Sequence, residues 1–173
     1  MNLITKRVHM NRCNGREVKQ LTLDRDFNVP DARPDALQIM KEQGEVQIEE
    51  VHMMEGKASV KGLLHFQILY ASDGDIPVSE MTGTIPFEET IPLPQAKAED
   101  EISVQAEIGD LKSELINSRK LGMKAIVVLN VTAGSVCDGE GAIDIEGGED
   151  IYTKKRTAEV SYLIFSKKDT LRV

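Results

Sequence analysis

The sequence has no tryptophan, and its seven Phe and Tyr residues bring the aromatic share to only 4%. Bases and sugars are commonly held on flat aromatic faces, so a stacking platform for either has little to be built from. Positive charge is also short. Lys and Arg number 21 against 29 Asp and Glu, a net charge of −8. That balance disfavours nonspecific binding to nucleic acid or to an anionic membrane surface. No run of about 18 apolar residues occurs, so no transmembrane helix is expected. The opening MNLITKRVHMNRCNG lacks the apolar centre of a signal peptide. There are two cysteines, Cys13 and Cys137, with neither a CxxC neighbour nor a His at ligand spacing. The plain reading is two free thiols in a reducing cytoplasm; a Cys13–Cys137 disulfide is left open by the sequence.

What is present is alternation. In Lys57–Ala71 the residues Ala58, Val60, Gly62, Leu64, Phe66, Ile68 and Tyr70 take every second position. A period of two lines one face of a β-strand, and the length of this run predicts a central strand crossing the core. Leu121, Met123, Ala125, Val127, Leu129 and Val131 alternate in the same way and predict a second long core strand. Ile102–Ile108 gives another. In Glu45–Met54, Val46 and Ile48 share one phase and Val51 and Met53 the other. Glu55-Gly56, Ser72–Asp75 and Asn117–Arg119 are turn signals. Ile76–Leu93 is interrupted by prolines, which belong at a sheet margin. Asn14-Gly15 is a two-residue turn signal, predicting a hairpin of Ile4–Arg12 and Arg16–Val29. After Pro30–Pro34, Asp35 can cap a short helix over Ala36–Lys41 with Leu37 and Met40 on its inner side and Gly44 ending it. The expected fold is mainly β: an antiparallel β-sandwich or partly open barrel with one short helix near 35–42.

Length suggests one domain, or one domain plus a fragment, large enough for a core without disulfides or metal. Residues 1–135 form the expected β domain. Residues 136–150 are glycine-rich and acidic, an expected linker. Residues 151–173 carry an alternating stretch, Ala158, Val160, Tyr162 and Ile164. Tyr152-Thr153-Lys154-Lys155 echoes Ile4-Thr5-Lys6-Arg7, so 151–173 reads as a strand that could open a second copy of the module.

Two strings stand out beside this pattern. One is Asn28-Val29-Pro30-Asp31-Ala32-Arg33-Pro34-Asp35, followed by Gly44-Glu45-Val46. The other is Glu114-Leu115-Ile116-Asn117-Ser118-Arg119-Lys120-Leu121. Between them come Gly62, Ile68-Leu69-Tyr70, Ile85-Pro86-Phe87 and Leu93-Pro94. In this order, over about residues 3–135, the set resembles the SPOCS domain family of endospore-forming bacteria. In that family the domain often occurs in tandem, frequently ahead of a C-terminal LysM module, and members include morphogenetic proteins that attach the spore coat to the forespore. No LysM-like segment is present in these residues. The resemblance implies a cytoplasmic, mother-cell protein at the forespore surface. Its partners would be other spore-coat proteins, with self-association or tandem copies, and neither nucleic acid nor membrane insertion is implied.

The candidate partner-contact residues are Asn28, Pro30, Asp31, Arg33, Pro34 and Asp35 in the first string and Asn117, Arg119 and Lys120 in the second, with the proline-broken edge Ile85–Pro94 beside them. Each has a structural reading too. Pro30–Asp35 can be a rigid corner, and Arg119 can pair with Glu114 or an Asp of its own domain. His9, His52 and His65 have no mutual spacing that suggests a metal or catalytic site. The acids of 138–150 do not follow the EF-hand pattern. No nucleophile elbow or phosphate-binding glycine loop occurs. The expectation is a non-catalytic interaction module with no cofactor and no metal. The alternative is a ligand-binding module for a cell-wall glycan, which the lack of Trp disfavours.

Overall fold

The computed structural model describes residues 2–73 and 75–147, and beyond them 154, 156, 157 and 159. Six strands follow one another: β1 (Asn2–Asn28), β2 (Asp35–Met54), β3 (Lys57–Asp73), β4 (Val78–Pro92), β5 (Glu101–Asn117) and β6 (Lys120–Glu146). They form two three-stranded antiparallel sheets, β1-β6-β5 and β2-β3-β4. Among the described residues there is no helix and no closed barrel. The chain divides into two compact units, one of residues 14–133, the other of 1–13 with 134–173.

In the 14–133 unit the alternation of the sequence becomes alternation of depth. On β3, Ala58, Val60, Leu64, Ile68 and Tyr70 are fully buried, while Lys61, His65 and Gln67 face outward half-exposed. On β6, Leu121, Val127, Leu129, Val131 and Ala133 are equally buried. The two sets meet Ile85, Phe87 and Ile91 of β4 in two apolar clusters, with Leu23 and Val46 packed against both. β4 is an edge strand, as its prolines require: Pro86 sits opposite Leu63 and Pro92 opposite Lys57. Gly56, at φ +71°, makes the tight β2–β3 turn.

Two glycines and two phenylalanines cross-pair between β3 and β4. Gly62 lies opposite Phe87, and Gly83 opposite Phe66. A Cβ at Gly62 would come within 2.5 Å of the Phe87 ring, and one at Gly83 within 2.4 Å of the Phe66 ring. Each ring thus lies across a position left bare on the neighbouring strand. Phe27 then meets Phe66 edge-on, with ring centroids 4.6 Å apart.

Three expectations are corrected. The helix over Ala36–Lys41 is strand: Ala36 pairs with Ser72 and Ile39 with Tyr70 of β3. The register slips between Ala36 and Gln38, Ile39 and Lys41, and Ile48 and Glu50. Leu37, Met40 and Glu49 are therefore extra residues in bulges. Leu37 and Met40, expected on an inner face, are 58% and 61% exposed. The Asn14-Gly15 hairpin is absent, because β1 runs straight through it. Gly15 serves close approach: a Cβ there would stand 3.1 Å from Leu93 Cδ2. Asn14 Nδ2 donates to both carboxylate oxygens of Asp100, at 2.9 and 3.0 Å. Finally, the expected linker at 136–150 is β6 as far as Glu146.

The second unit is a two-stranded ribbon over its described part, the first half of β1 beside the last part of β6. Gly134 allows contact there, since a Cβ would lie 2.5 Å from the Arg12 carbonyl oxygen. Arg7 Nη2 donates to Asp138 Oδ2 at 2.9 Å, and His9 Nδ1 meets Asp138 Oδ1. Cys137 carries a free thiol, so no Cys13–Cys137 disulfide forms. The expected strand within 151–173 lies outside the described residues, save for 154, 156, 157 and 159.

Candidate functional site

The two strings that stood out in the sequence meet at one corner of the sandwich. Pro30 opens a turn, closed by the Arg33 N–H donating to the Pro30 carbonyl at 2.9 Å. The β5–β6 turn is Ser118-Arg119, where Asn117 Oδ1 accepts from the Arg119 N–H at 2.9 Å. Backbone bonds join the two: the Val29 N–H donates to the Arg119 carbonyl and the Ala36 N–H to the Ser118 carbonyl, both at 2.8 Å.

The Arg119 guanidinium then ties the corner from within. Nη1 donates to the Arg33 carbonyl at 2.8 Å and to Asp35 Oδ1 at 3.1 Å. Nη2 donates to the Val29 carbonyl and to Asp31 Oδ1, both at 3.2 Å. The planar fork suits this use, since one rigid group spans two carbonyls and two carboxylates. Ser118 Oγ donates to Asp35 Oδ2 at 2.9 Å, and the Tyr70 hydroxyl reaches the Pro34 carbonyl at 3.3 Å.

Of the candidate residues, Asn28, Pro30, Asp31 and Arg33 are exposed at the corner, and Pro34 and Asp35 are half-buried. Asn117 forms the turn and Arg119 binds both strings. Lys120 turns aside to Asp26 Oδ2 at 2.6 Å. The internal carboxylates anticipated for Arg119 are thus Asp31 and Asp35. Glu114 lies over Gly122, its Cγ 3.1 Å from where a Cβ would stand. Sequence reasoning missed Ser118 and Tyr70. Ser118 lies inside the turn string and could have been found there; Tyr70 is 36 residues from its acceptor and left no local signal.

Elsewhere the outer face of the β2-β3-β4 sheet is polar. Gln43 Nε2 donates to Gln67 Oε1 at 2.6 Å, and Gln67 Nε2 to Glu80 Oε2 at 2.8 Å. An open groove runs there past His65, Thr82 and Thr84. His52 Nε2 meets Glu50 Oε1 at 2.7 Å. That hydrogen bond and the attraction of His52 hold the Glu50 carboxyl below its ordinary range. No group of three or more His, Cys, Asp or Glu is arranged to hold a metal ion among the described residues.

Residues 35–116 match the family model described as SipL, SPOCS domain. The match covers β2 to β5, a shorter span than the resemblance read over 3–135, and Arg119 lies just beyond it. No curated protein and no solved structure matches the chain. The family suggests a sporulation-related role. The match over residues 35–116 supports the resemblance to the SPOCS domain family.

Proposed function

We propose that this protein is a non-catalytic interaction module of the bacterial spore coat, working in the mother-cell cytoplasm at the forespore surface. It binds other coat proteins through the corner of Asn28–Asp35 and Asn117–Lys120 and through the edge strands of the β2-β3-β4 sheet. The family match carries the sporulation part of this reading. The corner supports the contact part. Arg119 has its guanidinium engaged on four oxygens of its own chain, so its work is positioning. What it positions is a turn that presents Pro30, Asp31 and Arg33 outward. A fixed loop loses little conformational entropy when a partner docks, which favours binding. Edge strands add backbone groups open to strand addition.

The test is capture of coat proteins, and self-association, by Arg33→Glu, Asp31→Ala and Arg119→Glu variants checked for native thermal unfolding. Arg33 offers only its carbonyl to Arg119, so its side-chain reversal leaves the corner tied. Capture reduced at least about tenfold by Arg33→Glu supports the corner as a contact surface. Unchanged capture in both Arg33→Glu and Asp31→Ala removes it. Retention of the domain on cell-wall glycan, through the polar groove near His65, would favour the ligand-binding reading instead.

A further inference from the structure

The outer face of the β2-β3-β4 sheet changes character near the start of β2. Gln43, Gln67 and Thr82 form one row across the three strands. In the next row Lys41, Leu69 and Glu80 stand side by side, and in the row after that Gln38, Ala71 and Val78. Leu69 and Ala71 share the face of Gln67, being two and four residues further along β3. The bulges of β2 add to these rows. Ala36, Ile39 and Glu42 turn inward, and between them Leu37-Gln38 and Met40-Lys41 fall outward as exposed pairs. A bulge re-aims a side chain, and these two place Leu37 beside Ala71 and Met40 beside Leu69. Leu37, Met40, Leu69, Ala71 and Val78 thus make a contiguous apolar patch, with its three largest exposed members at the two edges. Such a patch, rimmed by polar groups, marks an interaction surface.

We propose that a second copy of this chain covers the patch, face to face, about a two-fold axis parallel to β3. The charges select this occupant and this axis. Lys41 and Glu80 flank Leu69 on opposite sides. A rotation about an axis along β3 exchanges those sides, so Lys41 of each copy faces Glu80 of the other. An axis across the strands would set Lys41 against Lys41 and Glu80 against Glu80. Stacked sheets lie about 10 Å apart, a gap that a lysine and a glutamate reach across from opposite sides. The axis also suits the usual angle of about 30° between stacked twisted sheets. Lys41 takes no part in an ion pair among the described residues, and Glu80 is engaged through Oε2 by Gln67.

The neighbouring rows agree with the same axis. Leu37 meets Val78 of the second copy, Leu69 meets Leu69, and Ala71 meets Ala71. Gln43 meets Thr82, a polar pair at the rim. The interface is isologous, so it closes at two copies. It is also small, which places it among weak, transient contacts. The corner of Asn28–Asp35 and Asn117–Lys120 takes no part in it.

The experiment is sedimentation velocity of the full chain under reducing conditions, up to about 1 mM, where weak contacts are populated. The wild-type chain should form dimers and nothing larger. Lys41→Glu and Glu80→Lys should each weaken self-association at least about tenfold, because each sets like charges together. An equimolar mixture of the two should dimerise again, since each chain then supplies what the other lacks. Leu37→Ser with Met40→Ser should abolish the dimer and leave the unfolding midpoint unchanged. Arg33→Glu, which tests the corner as a coat-protein contact, should leave the dimer intact. A wild-type chain that stays monomeric would overturn the proposal. So would a mixture that associates no better than either variant alone, or a dimer lost on Arg33→Glu.

Discussion

The two halves of β6 carry the same kind of sequence and meet different fates. Before Ala133, its alternate residues Leu121, Met123, Ala125, Val127, Leu129 and Val131 are at most 1% exposed. After Gly134 alternation continues, yet Val136 remains 45% exposed and Ile143 52%. Strand propensity cannot account for the difference, since Val and Ile favour strands in both halves. What differs is the layer opposite. The first half faces the side chains of β3 and β4 across a shared interior. The described ribbon of the second half has its neighbour beside it, not a sheet above it. A period of two determines which residues share a face; a second sheet determines whether that face is dry. The ribbon relies correspondingly on charge: Asp138 is met by Arg7 and His9.

This contrast should appear first in core truncations. Leu129→Ala removes a fully buried side chain between two sheets and should cost about 3–4 kcal/mol, read as a lower urea midpoint. Val136→Ala, in the ribbon half of the same strand, should cost under about 0.5 kcal/mol. Equal costs would mean that both halves are covered alike and would erase the distinction.

Glycine substitutions sharpen it with the opposite sign in the two regions. At Gly62 a methyl group would meet the Phe87 ring at 2.5 Å and the Gln47 carbonyl oxygen at 2.6 Å. The ring could swing away; the backbone oxygen belongs to the β2 ladder and is held there. Gly62→Ala should therefore destabilise by about 2–3 kcal/mol through overpacking. At Gly141 of the ribbon the nearest atom is Val8 Cγ2 at 3.9 Å, ordinary contact. Gly141→Ala should be neutral or stabilising by up to about 1 kcal/mol, because alanine loses less chain entropy in a strand. Thermal or urea unfolding of the pair decides. Tolerance at Gly62 would mean that β3 and β4 are not as close-set as the cross-paired glycines and phenylalanines imply.

These positions also indicate where the sequence could be read and where it could not. β3 and the first half of β6 were legible because nothing interrupts their period. β2 was not, and the reason is its bulges. Two extra residues within five positions, Leu37 and Met40, stretch the inward spacing from two to three, so Ala36, Ile39 and Glu42 fall at intervals that imitate a helix. The third bulge, at Glu49, explains why Val46 and Ile48 were out of phase with Val51 and Met53 although all four face inward. A bulge is set by the partner strand, which a linear pattern does not contain. Asn14-Gly15 misled for a related reason. Its residues fit a turn, but they are used for a hydrogen bond to Asp100 and for close approach to Leu93, both about eighty residues away. At the corner, residue types were legible as a motif, and Arg119 was recognisable as a partner for an internal Asp. Which carboxylates it takes depended on two turns meeting in space.

The smallest expected effect is confined to the ribbon and depends on pH. The Asp138 carboxyl is held below its ordinary range chiefly by the hydrogen bond to His9; burial opposes this, and the charge of Arg7 adds to the lowering. A carboxyl whose value is lowered in the folded chain stabilises it above the unfolded value, and that contribution is lost as pH falls through the folded value. Acidification should therefore loosen the contact of residues 7 and 9 with Asp138 while the 14–133 interior stays closed. Asp138→Asn should abolish this pH dependence without shifting the unfolding midpoint of the sandwich. Amide exchange or NMR chemical shifts followed across an acid titration separate the two regions directly. If the β3 and β6 core amides open at the same pH as residues 7–9, ribbon and sandwich act as one cooperative body. The difference between the halves of β6 would then be one of exposure alone.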